Sequence, residues 1–220
     1  MRTFLGFLAG PARLARRLTI LGDLFDYWAG DDDLADPFNA RIVGALRALA
    51  DSGVMLEFMA GNRDFLIGEA FAEAAGSTLL PDPMVRDIDG IRTLLTHGDA
   101  LCTDDIDYQR FRAQVRDPAW RNAFLARPLH ERKREIEALR AMSEAEKRRK
   151  PAAIMDVNTD AVAAALAAHK AEAMIHGHTH RQGRHDHAGR TRWVLGDWHS
   201  GRGNALACEP AGWRWLVVAS

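Results

Sequence analysis

Leu18-Thr19-Ile20-Leu21 runs into Gly22-Asp23, and Met174-Ile175 runs into His176-Gly177-His178-Thr179-His180. Between them, residues 54–59 run into Gly61-Asn62-Arg63-Asp64 and residues 92–96 into His97-Gly98-Asp99. Four apolar, buried-type strands thus end in Asp, Asn or His, usually beside glycine. In an α/β sheet ligands sit at the carboxyl ends of strands. Glycine lets the backbone turn sharply there and lets a ligand come close. One strand-end Asp is ordinarily a turn former or a helix cap. Four such ends in one chain ask for more than turn chemistry, and they point to one site.

Outward from these ends, apolar runs alternate with helical patterns, which is the signature of an α/β protein. Strands are expected at 18–21, 54–59, 92–96, 173–175, 193–195 and 213–218, the last closing the sheet. Helices are expected at 34–51, ended by Ser52-Gly53, at 65–75, stopped at Gly76, and at the Ala-rich 157–169. The stretch before residue 18 reads as a helix leading into the first strand. Residues 124–150 stand apart, being rich in Arg, Lys and Glu with an excess of positive charge. They read either as a solvated helical pair or as a helical cap over the site. No internal repeat or low-complexity linker interrupts the chain. The economical description is one domain, 1–220, with a helical insert at about 124–150.

A length of 220 residues with 47% hydrophobic content and six Trp suits one domain with a full core and excludes a disordered chain. The net charge of -1 gives no sign of a nucleic-acid partner. Cys102 and Cys208 form no CxxC pair, and two thiols suit a reducing compartment. No apolar run reaches the roughly 18 to 20 residues needed to cross a bilayer. The first residues lack a signal-peptide core and cleavage site.

The strand-end residues fit a two-metal hydrolase. Asp23 can bridge two cations with its two oxygens, Asn62 offers an amide oxygen, and His97, His178 and His180 offer imidazoles. Such mixed N/O donors suit Mn, Fe or Zn better than Ca. Two metals roughly 3.5 to 4 Å apart clamp a phosphate and activate water. If residues 177–180 are extended, His178 and His180 point the same way. A lone His-x-His is a weak signal. In order behind Gly-Asp, Gly-Asn-Arg-Asp and His-Gly-Asp it is strong.

These motifs resemble, in their order, those of calcineurin-like metallophosphoesterases. Longer strings are narrower. Gly22-Asp23-Leu24-Phe25-Asp26-Tyr27-Trp28, the string from Gly61 to Leu66, and His97-Gly98-Asp99-Ala100-Leu101-Cys102-Thr103-Asp104-Asp105 are similar to the UDP-2,3-diacylglucosamine diphosphatase family. So are Ile154-Met155-Asp156-Val157-Asn158 and Val194-Leu195-Gly196-Asp197-Trp198. The resemblance implies a sandwich of two β-sheets flanked by helices, with an inserted helical cap. It implies hydrolysis of the substrate's pyrophosphate to lipid X and UMP, with two Mn ions in a complete site. Asp23 would bridge both metals, Asn62, His97 and His178 would complete one site, and His180 would belong to the other. Arg63 and His178 would be catalytic, Arg63 by stabilising phosphate charge. Asn62, Arg63, Asp105, Ser143, Lys147, Lys150 and His178 would contact substrate.

A diacylated substrate implies a peripheral enzyme on the cytoplasmic face of the inner membrane, drawn to its anionic surface. No obligate protein partner is evident. Phe124, Leu125, Leu129, Ile136 and Leu139 would either shelter acyl chains or dock the cap on the core. Competing readings are another calcineurin-like phosphodiesterase and an inactive nucleotide- or membrane-binding relative. The strings 102–105 and 143–150 argue against the first.

Two departures from the family pattern matter. Its members open with a strand ending in Asp-x-His, both metal ligands, and no such pair precedes Gly22-Asp23 here. The match begins at Thr3-Phe4-Leu5-Gly6-Phe7-Leu8, the helix that follows that strand. The chain is therefore expected to start late, with the first strand missing, through an internal start codon or a shortened gene. One metal site would keep its ligands and the other only Asp23 and His180, so weak or no activity is expected of these residues. Gln182 stands where the family often has Pro. Of the other histidines, His176 is expected to pack near the site, His185, His187 and His199 to lie in loops, and His130 and His169 on helix surfaces.

Overall fold

The computed structural model describes residues 1–147, 154–199 and 201–219, with side chains described to residue 143 in the first span. The elements follow in chain order: α1 (Arg2–Ala9), β1 (Arg17–Leu21), α2 (Pro37–Asp51), β2 (Met55–Met59), α3 (Glu69–Ala75), β3 (Ser77–Leu80), β4 (Met84–Ile88), β5 (Ile91–Thr96), α4 (Ile106–Arg116), α5 (Pro118–Leu125), α6 (Leu129–Lys147), α7 (Thr159–Ala168), β6 (Ala173–His176), β7 (Gly183–His187), β8 (Arg190–Val194), β9 (Arg202–Glu209) and β10 (Gly212–Ala219).

Local chemistry sets several boundaries. Asp36 caps α2 by accepting from the Phe38 and Asn39 amides, and Pro37 takes the first helical position, where its missing N–H costs nothing. That cap moves the helix start from the expected residue 34 to residue 37. Asn158 caps α7 in the same way, trimming the expected 157–169. Gly76 closes α3 with φ 67, as expected. The first turn expected of α3, from Phe65, is instead irregular chain tied to Asp31, whose carboxylate accepts from the Gly68 and Phe71 amides.

Three sheets form among the described residues. β1, β2 and β3 make one parallel sheet, β4-β5-β6-β8-β7 a mixed one, and β9 and β10 an antiparallel ribbon. The expected sandwich of two sheets is present. The expectation that 213–218 closes the main sheet is corrected: β10 pairs with β9 alone. The strands β3, β4, β7 and β9, and the helices α4 and α5, were not foreseen. His185 and His187, expected in loops, lie on β7.

The first sheet packs against α1, α2 and α3 through a core that includes Phe7, Leu8, Phe25, Trp28, Leu46, Phe58 and Phe71. Trp198 sits against Phe4 and Phe7 and fastens α1. A second cluster, with Leu94, Val162, Leu166 and Met174, holds α7 on the larger sheet. Leu21, Met59, Leu95 and Ile175 fill the space between the sheets. Each of these four lies at or next to the carboxyl end of its strand. β1 and β2 align Leu21 with Met59, and β5 and β6 align Thr96 with His176. The four loops that follow therefore emerge together at one edge of the sandwich.

The segment from α4 to α6 is helical and starts earlier than the expected 124. α6 is bound to the acidic loop after β1. Arg132, 2% exposed, donates to Ala29 O and Asp32. Lys133 pairs with Asp33 at 2.6 Å, and Arg140 with Asp26 at 3.4 Å. Phe124 is buried in the main core, and Leu125 and Ile136 pack on it. These three therefore dock the cap and do not form an open apolar face. Leu129 and Leu139 are half-buried, and His130 is exposed on α6.

Candidate metal centre

The loops after β1 and β2 touch at glycine. A Cβ on Gly22 would fall 2.4 Å from Gly61 Cα and 2.7 Å from His97 Nδ1. One on Gly61 would fall 2.4 Å from Asp23 Oδ1. Only hydrogen fits at either position, and this is why Gly precedes both Asp23 and Asn62. Asp64 locks the two loops together. Fully buried, it accepts from the Gly61 amide at 2.7 Å, Leu24 at 2.8 Å and Asp23 at 3.2 Å. Burial and the nearby Asp23 charge push its carboxyl up to about 6.

On this frame Asp23, His97 and His178 each present a ligand atom within 4.8 Å of the others. His97, fully buried, donates from Nδ1 to Leu21 O at 2.8 Å, so Nε2 keeps its lone pair. That nitrogen lies 3.7 Å from Asp23 Oδ1 and 3.0 Å from Asn62 Oδ1. The same amide oxygen lies 2.8 Å from His178 Nδ1. Burial pushes His178 down to about 4, which keeps it neutral. Burial would also lower His97, but Asp23 and Asp99 outweigh it and hold that ring up. A carboxylate, an amide oxygen and two imidazoles converge, and His97 Nε2 also accepts from the Asn62 amide at 3.3 Å. A divalent cation satisfies that arrangement, and the N/O donor set is one that first-row metals accept.

Arg63 is adjacent. Its backbone N–H donates to Asp23 Oδ1 at 2.9 Å, and its Nε stands 3.5 Å from Asp23 Oδ2. Nη1 is 3.3 Å from Asp26. His180 sits at the margin, with Nδ1 3.8 Å from Asp197 Oδ2. Burial lowers its pKa, and Asp23, Arg63 and His97 are close enough to act on it. Residues 177–180 do not form the extended segment expected of them. β6 ends at His176, and His178 and His180 have φ 62 and 57, so residues 177–180 turn and do not alternate as a strand.

Of the expected substrate contacts, Asn62, Arg63 and His178 lie at the centre. Asp105 caps α4, accepting from the Tyr108 amide at 3.2 Å. Ser143 is exposed on α6. Lys147 ends α6 without a described side chain, and Lys150 lies outside the described residues. His176 is buried, donating to Gly177 O and accepting from Arg192, and burial pushes it down to about 3. His169 is the half-buried C-cap of α7, and His199 lies outside the strands.

Residue-by-residue reading missed Asp64, Asp99 and the helix α4 that leans on the centre. Asp99 is fully buried. Burial alone would raise its pKa, but His97, Arg112 and Arg116 outweigh it and bring it to about 2. The available signal was the acid that closes both Gly61-Asn62-Arg63-Asp64 and His97-Gly98-Asp99.

A layered sandwich with candidate cation ligands at its strand ends is the arrangement that a metal-dependent phosphoesterase uses. A model of the calcineurin-like phosphoesterases matches residues 7–182, and the chain belongs to that family. UDP-2,3-diacylglucosamine hydrolase of Aromatoleum aromaticum is 55% identical over 203 residues, covering 90% of this chain and 82% of that protein. The hydrolase of the same name from Nitrosococcus oceani is 49% identical over 210 residues, covering 94% and 83%. That of Escherichia coli K12 is 49% identical over 201 residues, covering 90% and 83%. Within the phosphoesterases, the chain is thus a member of the UDP-2,3-diacylglucosamine hydrolase family.

Proposed function

We propose that this chain hydrolyses the pyrophosphate bond of UDP-2,3-diacylglucosamine, giving 2,3-diacylglucosamine 1-phosphate and UMP, a step of lipid A synthesis. The observation that carries the reading is the convergence of Asp23, Asn62, His97 and His178, with Arg63 against Asp23. It occurs in a chain 55% identical to a hydrolase of that name. Divalent cations held there, Mn²⁺ in this reading and two in a complete centre, would supply Lewis-acid charge to a phosphoryl oxygen and to the attacking water.

The chain's own residues do the rest. Asp23, Asn62, His97 and His178 hold one cation, and Asp23 and His180 contribute to the second. Water oxygen bonds to one phosphorus, the bond from that phosphorus to the bridging oxygen breaks, the bridging oxygen leaves on the other phosphate, and the proton that the water loses passes to solvent. Arg63 offers a planar guanidinium to the charge that builds on the phosphoryl oxygens. His178 and Asn62 face the same group. Asp105, Ser143, Lys147 and Lys150 contact the rest of the substrate.

The acyl chains would put the protein on the cytoplasmic face of the inner membrane, with its positively charged residues drawn to anionic lipid. Among the described residues no helix is long and apolar enough to cross a membrane. UMP release from the substrate with Mn²⁺ tests the proposal. Weak release is expected, because among the described residues the second cation has only Asp23 and His180, and His97→Ala abolishes it. A folded, Mn-loaded protein that releases no UMP would overturn it.

A further inference from the structure

Helix α4 carries Tyr108, Arg112 and Arg116 four residues apart, and the reaction as read above uses none of them. All three reach the metal centre or its supports. The Tyr108 hydroxyl donates to Asp99 Oδ2 at 2.8 Å, and Arg112 Nε donates to the same oxygen at 2.8 Å. Arg116 Nη2 donates to Gly61 O at 3.0 Å, next to Asn62. Asp99 is fully buried, so its carboxylate is a fixed anchor. The other end of Tyr108 is fixed as well, its amide donating to the Asp105 carboxylate at 3.2 Å.

Between these two anchors the Tyr108 ring lies in an offset stack on the His178 imidazole, with centroids 5.8 Å apart and planes 27° from parallel. His178 is the residue that needs support. It follows β6 in irregular chain at φ 62, a conformation that a non-glycine residue keeps only where its surroundings impose it. Its ring bonds to Asn62 Oδ1, which fixes one edge but not the tilt of the plane.

We propose that Tyr108 is a positioning residue for His178: its anchored ring sets the plane of the imidazole toward Asp23 and Asn62. This rests on the reading of His178 as a metal-binding group, yet the stack is testable without metal or substrate. In metal-free protein, NMR of the His178 ring protons reports the neighbouring aromatic face through its ring current. Tyr108→Leu is expected to move those resonances, and Tyr108→Phe, which keeps the face but loses the bond to Asp99, to move them less. Mn²⁺ affinity, by calorimetry, is expected to fall about 10- to 100-fold in Tyr108→Leu and by less in Tyr108→Phe. Turnover should show the loss in kcat with KM held.

Unmoved resonances or unchanged Mn²⁺ affinity in folded Tyr108→Leu would overturn the proposal, as would a Tyr108→Phe variant as impaired as Tyr108→Leu. If Tyr108→Leu does not fold, Arg112→Gln loosens the anchor and keeps the ring. A smaller shift of the same resonances is then expected, and none would overturn the assignment. A wild-type protein that releases no UMP would sink the proposed function and leave the NMR and metal readouts to judge Tyr108.

Discussion

Asp23, His178 and His180 all hang from left-handed backbone, with φ of 55, 62 and 57. Each such position costs on the order of 1 kcal/mol for a residue other than glycine, and the three cluster around the same centre. The candidate ligands stand out in the sequence because four strand ends in one chain carry Asp, Asn or His beside glycine, more than turn chemistry asks for. Their backbone was not legible, since a histidine at positive φ leaves no mark on composition or period. His97 gives the cleanest test, being buried and hydrogen-bonded through Nδ1 with Nε2 turned to the centre. His97→Ala should lower divalent-cation affinity by more than about 100-fold, judged against the cost of losing mere supporting groups. Calorimetry showing wild-type affinity would remove it from the ligand set. Arg63→Ala should instead keep most metal affinity and cost roughly 100- to 1000-fold in kcat, with Arg63→Lys restoring little because the planar fork is lost.

Among the elements, α6 depends on charge for its place. Removing Arg132 takes away the buried guanidinium that serves Ala29 O and Asp32. Arg132→Ala should cost about 1 to 3 kcal/mol and speed proteolytic cutting between residues 127 and 143. Unchanged digestion would mean that Phe124, Leu125 and Ile136 hold the cap without it. The elements that sequence pattern missed share a cause. β7 reads Gly-Arg-His-Asp-His and has no apolar residue to alternate, so its order comes from backbone pairing with β8. α4 is polar over most of its surface, and its signals were the caps Asp105 and Asp117-Pro118 rather than a hydrophobic stripe. Buried strands such as β2 and β6 carried the apolar runs that make a strand readable.

At the scale of the molecule, the two sheets are joined by apolar packing and by an ionic clamp at Glu57. Glu57 of β2 accepts from Arg86 of β4 at 2.6 and 2.7 Å, from Arg17 at 3.0 Å and from Thr19 at 2.8 Å. Burial would raise its pKa, but these partners outweigh it and hold it below the ordinary value. A lowered folded-state pKa gives stability that is present above the unfolded value, near 4.5. It is lost as pH falls through the folded one. Denaturation of the wild type should therefore show a loss on acidification through that range, and Glu57→Gln should flatten it. Glu57→Ala, which leaves the half-buried Arg86 guanidinium without its carboxylate, should cost about 1 to 3 kcal/mol. The alternation of strands and helices made the layered architecture readable, but nothing in residues 213–218 distinguished a separate ribbon from a closing strand. Asp64, finally, makes amides from distant parts of the chain share one acceptor. Neither loop can open without releasing the other. In deuterated water the Asp23, Leu24 and Gly61 amides should exchange together, at one rate, as if these two stretches were a single segment.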